Sequence, residues 1–191
     1  MLKPRRVRMN FGLMTMDRLT SWRLTWVMST SPYVLATAAA AITTAAVGGL
    51  FYGFSTFVMK GLDRTEPAKA ITAMRGLNAE AQANAPFLAL FVGSALLALG
   101  VGVAAAVRLT QPGSGYVLAG AALGLVAFVV TMAFNVPLNN RLDALDPNGL
   151  SAADAWRDWH AYLAPWTAWN HVRTVAPLAG SVLMLVGLHR S

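Results

Sequence analysis

The chain has 191 residues and no cysteine, so disulfides, thiolate nucleophiles and cysteine-held metal clusters are excluded. Hydrophobic residues make up 56% and charged residues 12%, against about 25% charged in a typical soluble domain. The net charge of +7 is not arranged as a basic binding face, which excludes a nucleic-acid role.

Lys3, Arg5, Arg6, Arg8, Arg18 and Arg23 lie in a basic tail, residues 1–30, ahead of the first apolar run. Basic residues beside a first span favour the cytoplasmic side, here of a bacterial plasma membrane. Met9, Met14, Met16 and Met28 are alternative starts within this tail, and Lys60, Arg64, Lys69 and Arg75 after the first run pull the other way. Apolar runs are expected to span a membrane at Val34–Val58, Ala85–Val107, Tyr116–Val136 and Trp166–Leu188. Each is near the roughly 20 residues a spanning helix needs. Backbone groups find no water in lipid, so each run should be helical. The fold expected for residues 31–191 is all-α, an integral membrane four-helix bundle in the lipid bilayer. A soluble all-α protein is the rival, with too few charges to clothe a water-facing surface.

Gly49 and Gly53 form a small-xxx-small pattern on the first run, expected to serve close helix packing. In the first long connection, Thr65 is the expected cap and Pro67 the first-turn residue of a short helix. Ile71, Met74, Asn78 and Ala81 share one face of it. A tight turn at Arg108–Gly115 joins the second and third runs. Pro137 is expected to end the third helix. The second long connection should hold another interfacial helix, opened by the Ser151/Asp154 capping pair and carrying Trp156, Trp159 and Leu163 on an aromatic face. Leu62-Asp63 and Leu142-Asp143 stand at matching places in the two halves, a pattern compatible with a duplicated hairpin.

An up-down order brings both long connections to one membrane face. That face collects Tyr52, Ser55, Asn78, Asn84, Thr131, Asn135, Asn139, Trp166, Trp169, Asn170, His171 and Arg173. Ionisable and polar groups at such depth are costly and mark functional sites or interhelical pairing. Helical spacing puts Trp166, Asn170, Arg173 and Thr174 on one face, with His171 about 100° from Asn170. His171 suits a base, because imidazole titrates near neutral pH. Plainer readings stand beside these: belt anchors for Trp166 and Trp169, a snorkelling Arg173, interhelical glue for Asn135, a turn for Asn139. His160 and His171 are the only pair that could begin a metal site on this face, without a supporting ligand motif.

Three pieces carry a resemblance: Phe54-Ser55-Thr56-Phe57-Val58-Met59 with Gly61-Leu62, Asn135-Val136-Pro137-Leu138-Asn139, and Trp166-Thr167-Ala168-Trp169-Asn170-His171-Val172-Arg173-Thr174. Together they make the chain, from Leu35 to Leu188, similar to the anthrone oxygenase-like family of small membrane proteins. The resemblance implies a membrane bundle. It also implies oxidation of an apolar aromatic, polyketide- or quinol-like substrate with molecular oxygen, as in the fungal members that turn an anthrone into an anthraquinone. On that reading His171 removes the acidic C–H proton, assisted by His160, which also faces the substrate, or by a nearby amide. Asn135, Asn170 and Arg173 stabilise the oxyanion. Trp166, Trp169, Asn139, Asn84 and Tyr52 hold the substrate. A carbanion that reacts with oxygen directly needs no further cofactor. A non-catalytic partner- or lipid-binding module and a metal- or haem-dependent oxidase are the alternatives, and self-association is left open.

Overall fold

The computed structural model describes residues 31–191, all of whose regular structure is helical. The basic tail, residues 1–30, lies outside the described residues. Four helices are long and apolar enough to cross a membrane: Pro32–Asp63, Ala85–Val107, Ser114–Asp143 and Ala152–His189. The protein is an integral membrane helical bundle.

The second span has the bounds expected from sequence. The other three run on past their apolar cores. The first passes through a π-helical turn at Phe54–Val58, where Met59 N–H bonds the Phe54 carbonyl, and continues to Asp63. The third does the same at Thr131–Asn135, where Val136 N–H bonds Thr131, and continues to Asp143. Pro137 therefore does not end this helix; it comes after the wide turn as an early residue of the segment Val136–Asp143. The two π turns occupy corresponding places in the two halves. Each adds a residue to the helical ladder and rotates the later part of its helix, a feature often found at functional sites.

The fourth helix also departs from expectation. The interfacial helix and the fourth span are one continuous element of 38 residues with Pro165 and Pro177 inside it. Each proline removes one donor from the ladder. Neighbouring helices carry the helix through both places. Its start is capped as the sequence indicates: Ser151 Oγ accepts from Asp154 N–H at 3.1 Å and donates to Asp154 Oδ2 at 2.7 Å.

The connecting helix Pro67–Ala83 begins with Pro67 at its first turn. Thr65 does not cap it, because its hydroxyl turns back to the Leu62 carbonyl at 2.7 Å. Ile71, Met74 and Asn78 are buried, as their spacing requires, and Ala81 is half-buried. Trp159 is buried beside them, whereas Trp156 is 58% exposed and stacks on His160.

Both long connections meet at one end of the bundle. Met59, Ile71, Met74, Leu142, Trp159, Tyr162 and Trp166 form an apolar cap there. Asp63 Oδ1 accepts the Trp159 indole N–H at 2.9 Å, and Arg75 Nη1 donates to the Leu145 carbonyl at 2.8 Å, which ties the cap together. The opposite end is built from small residues with Val101, Val117 and Met184.

Spans three and four make the closest approach. A Cβ built on Gly120 would lie 2.5 Å from the Gly180 carbonyl oxygen, and one on Gly180 equally close to that of Gly120. Gly113, with φ +80°, makes the turn before span three and abuts the backbone of Gly187. The Gly49/Gly53 pattern does not serve helix packing. Nothing lies within 4 Å of a Cβ on Gly49, and one on Gly53 would meet only Phe57 of its own helix. The packing glycine of span one is Gly48, against Leu178 of span four.

Candidate functional site

Between the capped end and the middle of the bundle lies a chamber of about 480 Å³, a volume usual for small-molecule pockets. Its aromatic wall comes from Phe51, Phe54, Phe87, Phe91, Phe128 and Trp166. Phe87 and Phe91 are stacked at 5.6 Å, Phe51 meets Phe91 edge-on at 6.0 Å, and Phe54 lies 5.7 Å from Trp166. Apart from Phe54, which opens the Phe54–Met59 piece, none of these phenylalanines stands out in the sequence. Phe87 and Phe91 sit one turn apart in an unbroken apolar run, where a pocket wall and a lipid-facing stripe look the same.

Arg173 is the charged group of this wall. It is 5% exposed, and its guanidinium lies between the rings of Phe51 and Trp166, 4.1 and 4.7 Å from their centres. Nε donates to Asn170 Oδ1 at 2.8 Å and Nη1 to Thr131 Oγ1 at 3.2 Å. It does not snorkel. Among the described residues no carboxylate pairs with it. A buried cation without a counter-ion is costly unless a ligand supplies the missing charge.

Two amides add donors to the same space. Asn139 Oδ1 accepts from Tyr162 OH at 3.0 Å and from Trp166 Nε1 at 2.9 Å, which fixes the amide and leaves its N–H groups for the chamber. Asn78 is 6% exposed and lines the chamber, and its Nδ2 has no hydrogen-bond partner. The Tyr162 hydroxyl beside it donates to Asn139 and turns its acceptor side toward the Asn78 amide. Asn84 stands at the rim, where it caps span two by accepting from Phe87 N–H and donates to Glu80. Of the lining residues, Glu80 alone carries a carboxylate.

Asn135 and Asn170 do not line the chamber; both are fully buried in support of it. Asn135 Nδ2 donates to the Trp166 carbonyl at 3.2 Å, and its Oδ1 has no partner. Asn170 Nδ2 donates to the Phe51 carbonyl at 2.8 Å and to Ser55 Oγ at 2.7 Å. Both π turns thus present a polar side chain to span four, Ser55 from one and Asn135 from the other.

Four sequence-named residues lie away from the chamber. His171 is exposed, and its Nδ1 meets Ser55 Oγ at 2.9 Å in a separate groove between spans one and four. Two residues along a helix are about 200° apart, so a helix that turns Arg173 inward turns His171 away. Trp169 is half-buried and stacks on Phe134 at 3.7 Å. Tyr52 is 56% exposed, on the outward side of Phe51. His160 bonds the carbonyl of Trp156 in its own helix at 2.8 Å. Eleven residues of one continuous helix separate His160 from His171, about 16 Å along the axis, too far to share one metal ion.

A more open hollow of about 580 Å³ surrounds Thr72, Arg75, Gln82 and Asp143 on the outer side of the connecting helix. It lacks the chamber's aromatic wall.

No curated protein and no solved structure matches the chain. A family model described as Anthrone oxygenase matches residues 85–183, just over half of the chain. The match takes in Asn135, Asn139, Trp166, Asn170 and Arg173, and leaves out Phe51, Ser55 and Asn78 on the elements before it. By that match, which runs from the start of span two through the polar stretch of span four, the chain belongs to the anthrone oxygenase family.

Proposed function

We propose that the protein oxidises an apolar aromatic ketone of the anthrone type with molecular oxygen, inside the chamber. The observation that carries this reading is Arg173, a buried guanidinium without a carboxylate, set in an aromatic wall beside the unpartnered amide of Asn78. Family membership supports the reaction class.

A flat tricyclic ring would lie against Phe54, Phe87, Phe91, Phe128 and Trp166, where burial and aromatic contact favour it. Its oxygen-bearing edge would face Arg173, Asn78 and Asn139, which offer donors and no carboxylate. Loss of a proton from the ring methylene places negative charge on the ketone oxygen. A guanidinium and two amides already aimed at that oxygen stabilise the charge most where water is excluded.

The proton acceptor in this reading is Glu80 at the rim, since His171 opens to the other side of span four. The electron-rich carbon then bonds one oxygen atom of O2. The second oxygen leaves with two hydrogens as water, and the methylene becomes a carbonyl. The substrate loses two hydrogens and gains one oxygen, so its own electrons reduce the oxygen.

Leu50, Leu88, Val92 and Met132 line the chamber and are each more than a third exposed on the bundle surface. An apolar substrate dissolved in the bilayer would reach the chamber past these side chains.

The test is purified protein in lipid nanodiscs with an anthrone in air, followed by oxygen uptake and quinone absorbance. Turnover above the protein-free rate is expected, and Arg173→Met should cut it about 100-fold, as for loss of an oxyanion donor. A rate equal to the protein-free control, or full activity in Arg173→Met, would overturn the reading.

A further inference from the structure

The groove on the far side of span four is a second site, and hydrogen-bond counting defines its chemistry. Ser55 Oγ meets three groups: Asn170 Nδ2 at 2.7 Å, His171 Nδ1 at 2.9 Å and Thr174 Oγ1 at 3.2 Å. The Asn170 N–H can only donate. The single Thr174 proton is used on the Asn170 carbonyl at 2.8 Å. Ser55 then has one proton for Thr174 and His171; placed on Thr174, it leaves only an acceptor site for His171. In that arrangement His171 carries its proton on Nδ1 and, when neutral, presents Nε2 as an acceptor.

That nitrogen belongs to a groove of about 430 Å³ between the end of span one and the middle of the fourth helix. Its floor is apolar, with Leu163 and Ala164 among the lining residues. Lys60 and Asp63 stand on one wall, three residues apart on one helix. Thr167 and His171 stand on the other, one turn apart on span four. Asp63 Oδ1 takes the Trp159 indole N–H, with His160 Nε2 at 3.7 Å, and Oδ2 remains. The Thr167 hydroxyl is buried and has no partner. Lys60 is exposed and, among the described residues, pairs with no carboxylate.

The groove thus offers two acceptors, Asp63 and His171 Nε2, beside a cation. It lies where the apolar run of span one closes, near Val58, and that of span four opens, near Trp166. We infer that it holds the head group of a bilayer phospholipid with a primary amine, the phosphoethanolamine type. The ammonium donates to Asp63 and His171. The phosphate takes Lys60. The glycerol and first acyl carbons lie on the apolar floor. A choline head has no N–H to donate and leaves both acceptors unpaired; a glycerol head leaves the carboxylate facing a net anion.

The experiment is native mass spectrometry of the full chain, delipidated in detergent and titrated with phosphatidylethanolamine, phosphatidylcholine or phosphatidylglycerol of one acyl composition. Ethanolamine lipid should bind about tenfold tighter than choline lipid, the effect of losing one charge-assisted hydrogen bond. Asp63→Asn keeps an acceptor for Trp159 and should erase that preference. Lys60→Gln removes an exposed cation with no carboxylate partner among the described residues, so folding is spared, and should weaken all three lipids several-fold. Equal binding of ethanolamine and choline lipids by the wild type, a preference for the glycerol lipid, or an undiminished preference in Asp63→Asn would each overturn the inference. Anthrone turnover is not needed for any of these readings.

Discussion

Arg173 Nε donates to Asn170 Oδ1 at 2.8 Å, and the two residues are buried together one turn apart on span four. The Asn170 amide is fully used, since its two N–H groups hold the Phe51 carbonyl and Ser55 Oγ on span one. The position of the guanidinium in the chamber is thus set by span one as much as by its own helix.

Asn170→Leu should lower stability by about 2–4 kcal/mol, because it strands the Arg173 Nε–H and takes a donor from the Phe51 carbonyl and from Ser55 Oγ in a dry interior. Thermal unfolding in detergent would measure this. A melting temperature unchanged from wild type would mean that the network contributes little to the fold.

Arg173→Lys keeps the charge but loses the planar fork that reaches Asn170 and Thr131 together. Anthrone turnover should fall roughly 10- to 100-fold, mostly in kcat, since an oxyanion donor acts on the transition state. A lysine variant with wild-type kcat would show that charge alone suffices.

Asn78→Leu separates binding from stability. The Asn78 amide nitrogen is buried without a partner, so an apolar side chain of similar size should leave stability unchanged or raise it by up to about 1 kcal/mol. Apparent affinity for an oxygen-bearing aromatic should fall about tenfold. Ligand titration and thermal melts on the same preparation check both halves, and a loss of stability would mean that the amide serves the fold.

Gly180→Ala should be severe and Gly49→Ala mild. A methyl group on Gly180 would press on the Gly120 backbone, whereas nothing lies within 4 Å of one on Gly49. We expect a loss of at least about 3 kcal/mol for the first, an overpacked backbone contact that cannot yield. The second should gain up to about 1 kcal/mol from helix propensity. Melting in detergent compares them, and equal melting temperatures would contradict the close packing of spans three and four.

The sequence alone determined the membrane fold, the number of spans, the end at which the polar groups gather, and the Ser151 cap. These come from run length and from residue spacing, which are one-dimensional quantities. It also put Asn170 and Arg173 on one face, because the angle between two residues of a helix is fixed by their separation. Tertiary structure decided which face looks into the chamber. Periodicity gives relative angles and leaves the rotation of each helix open. That is why spacing does not say whether His171 or Arg173 faces the chamber, and why Tyr52 and Trp169 share the polar end of the bundle without lining the pocket.

The π turns at Phe54–Val58 and Thr131–Asn135 compound this, since an added residue shifts every later side chain by about 100°. No residue in either segment signals it, and Pro137 reads locally as a helix end. Packing against span four decides both turns, and they bring Ser55 and Asn135 to the helix that carries Arg173.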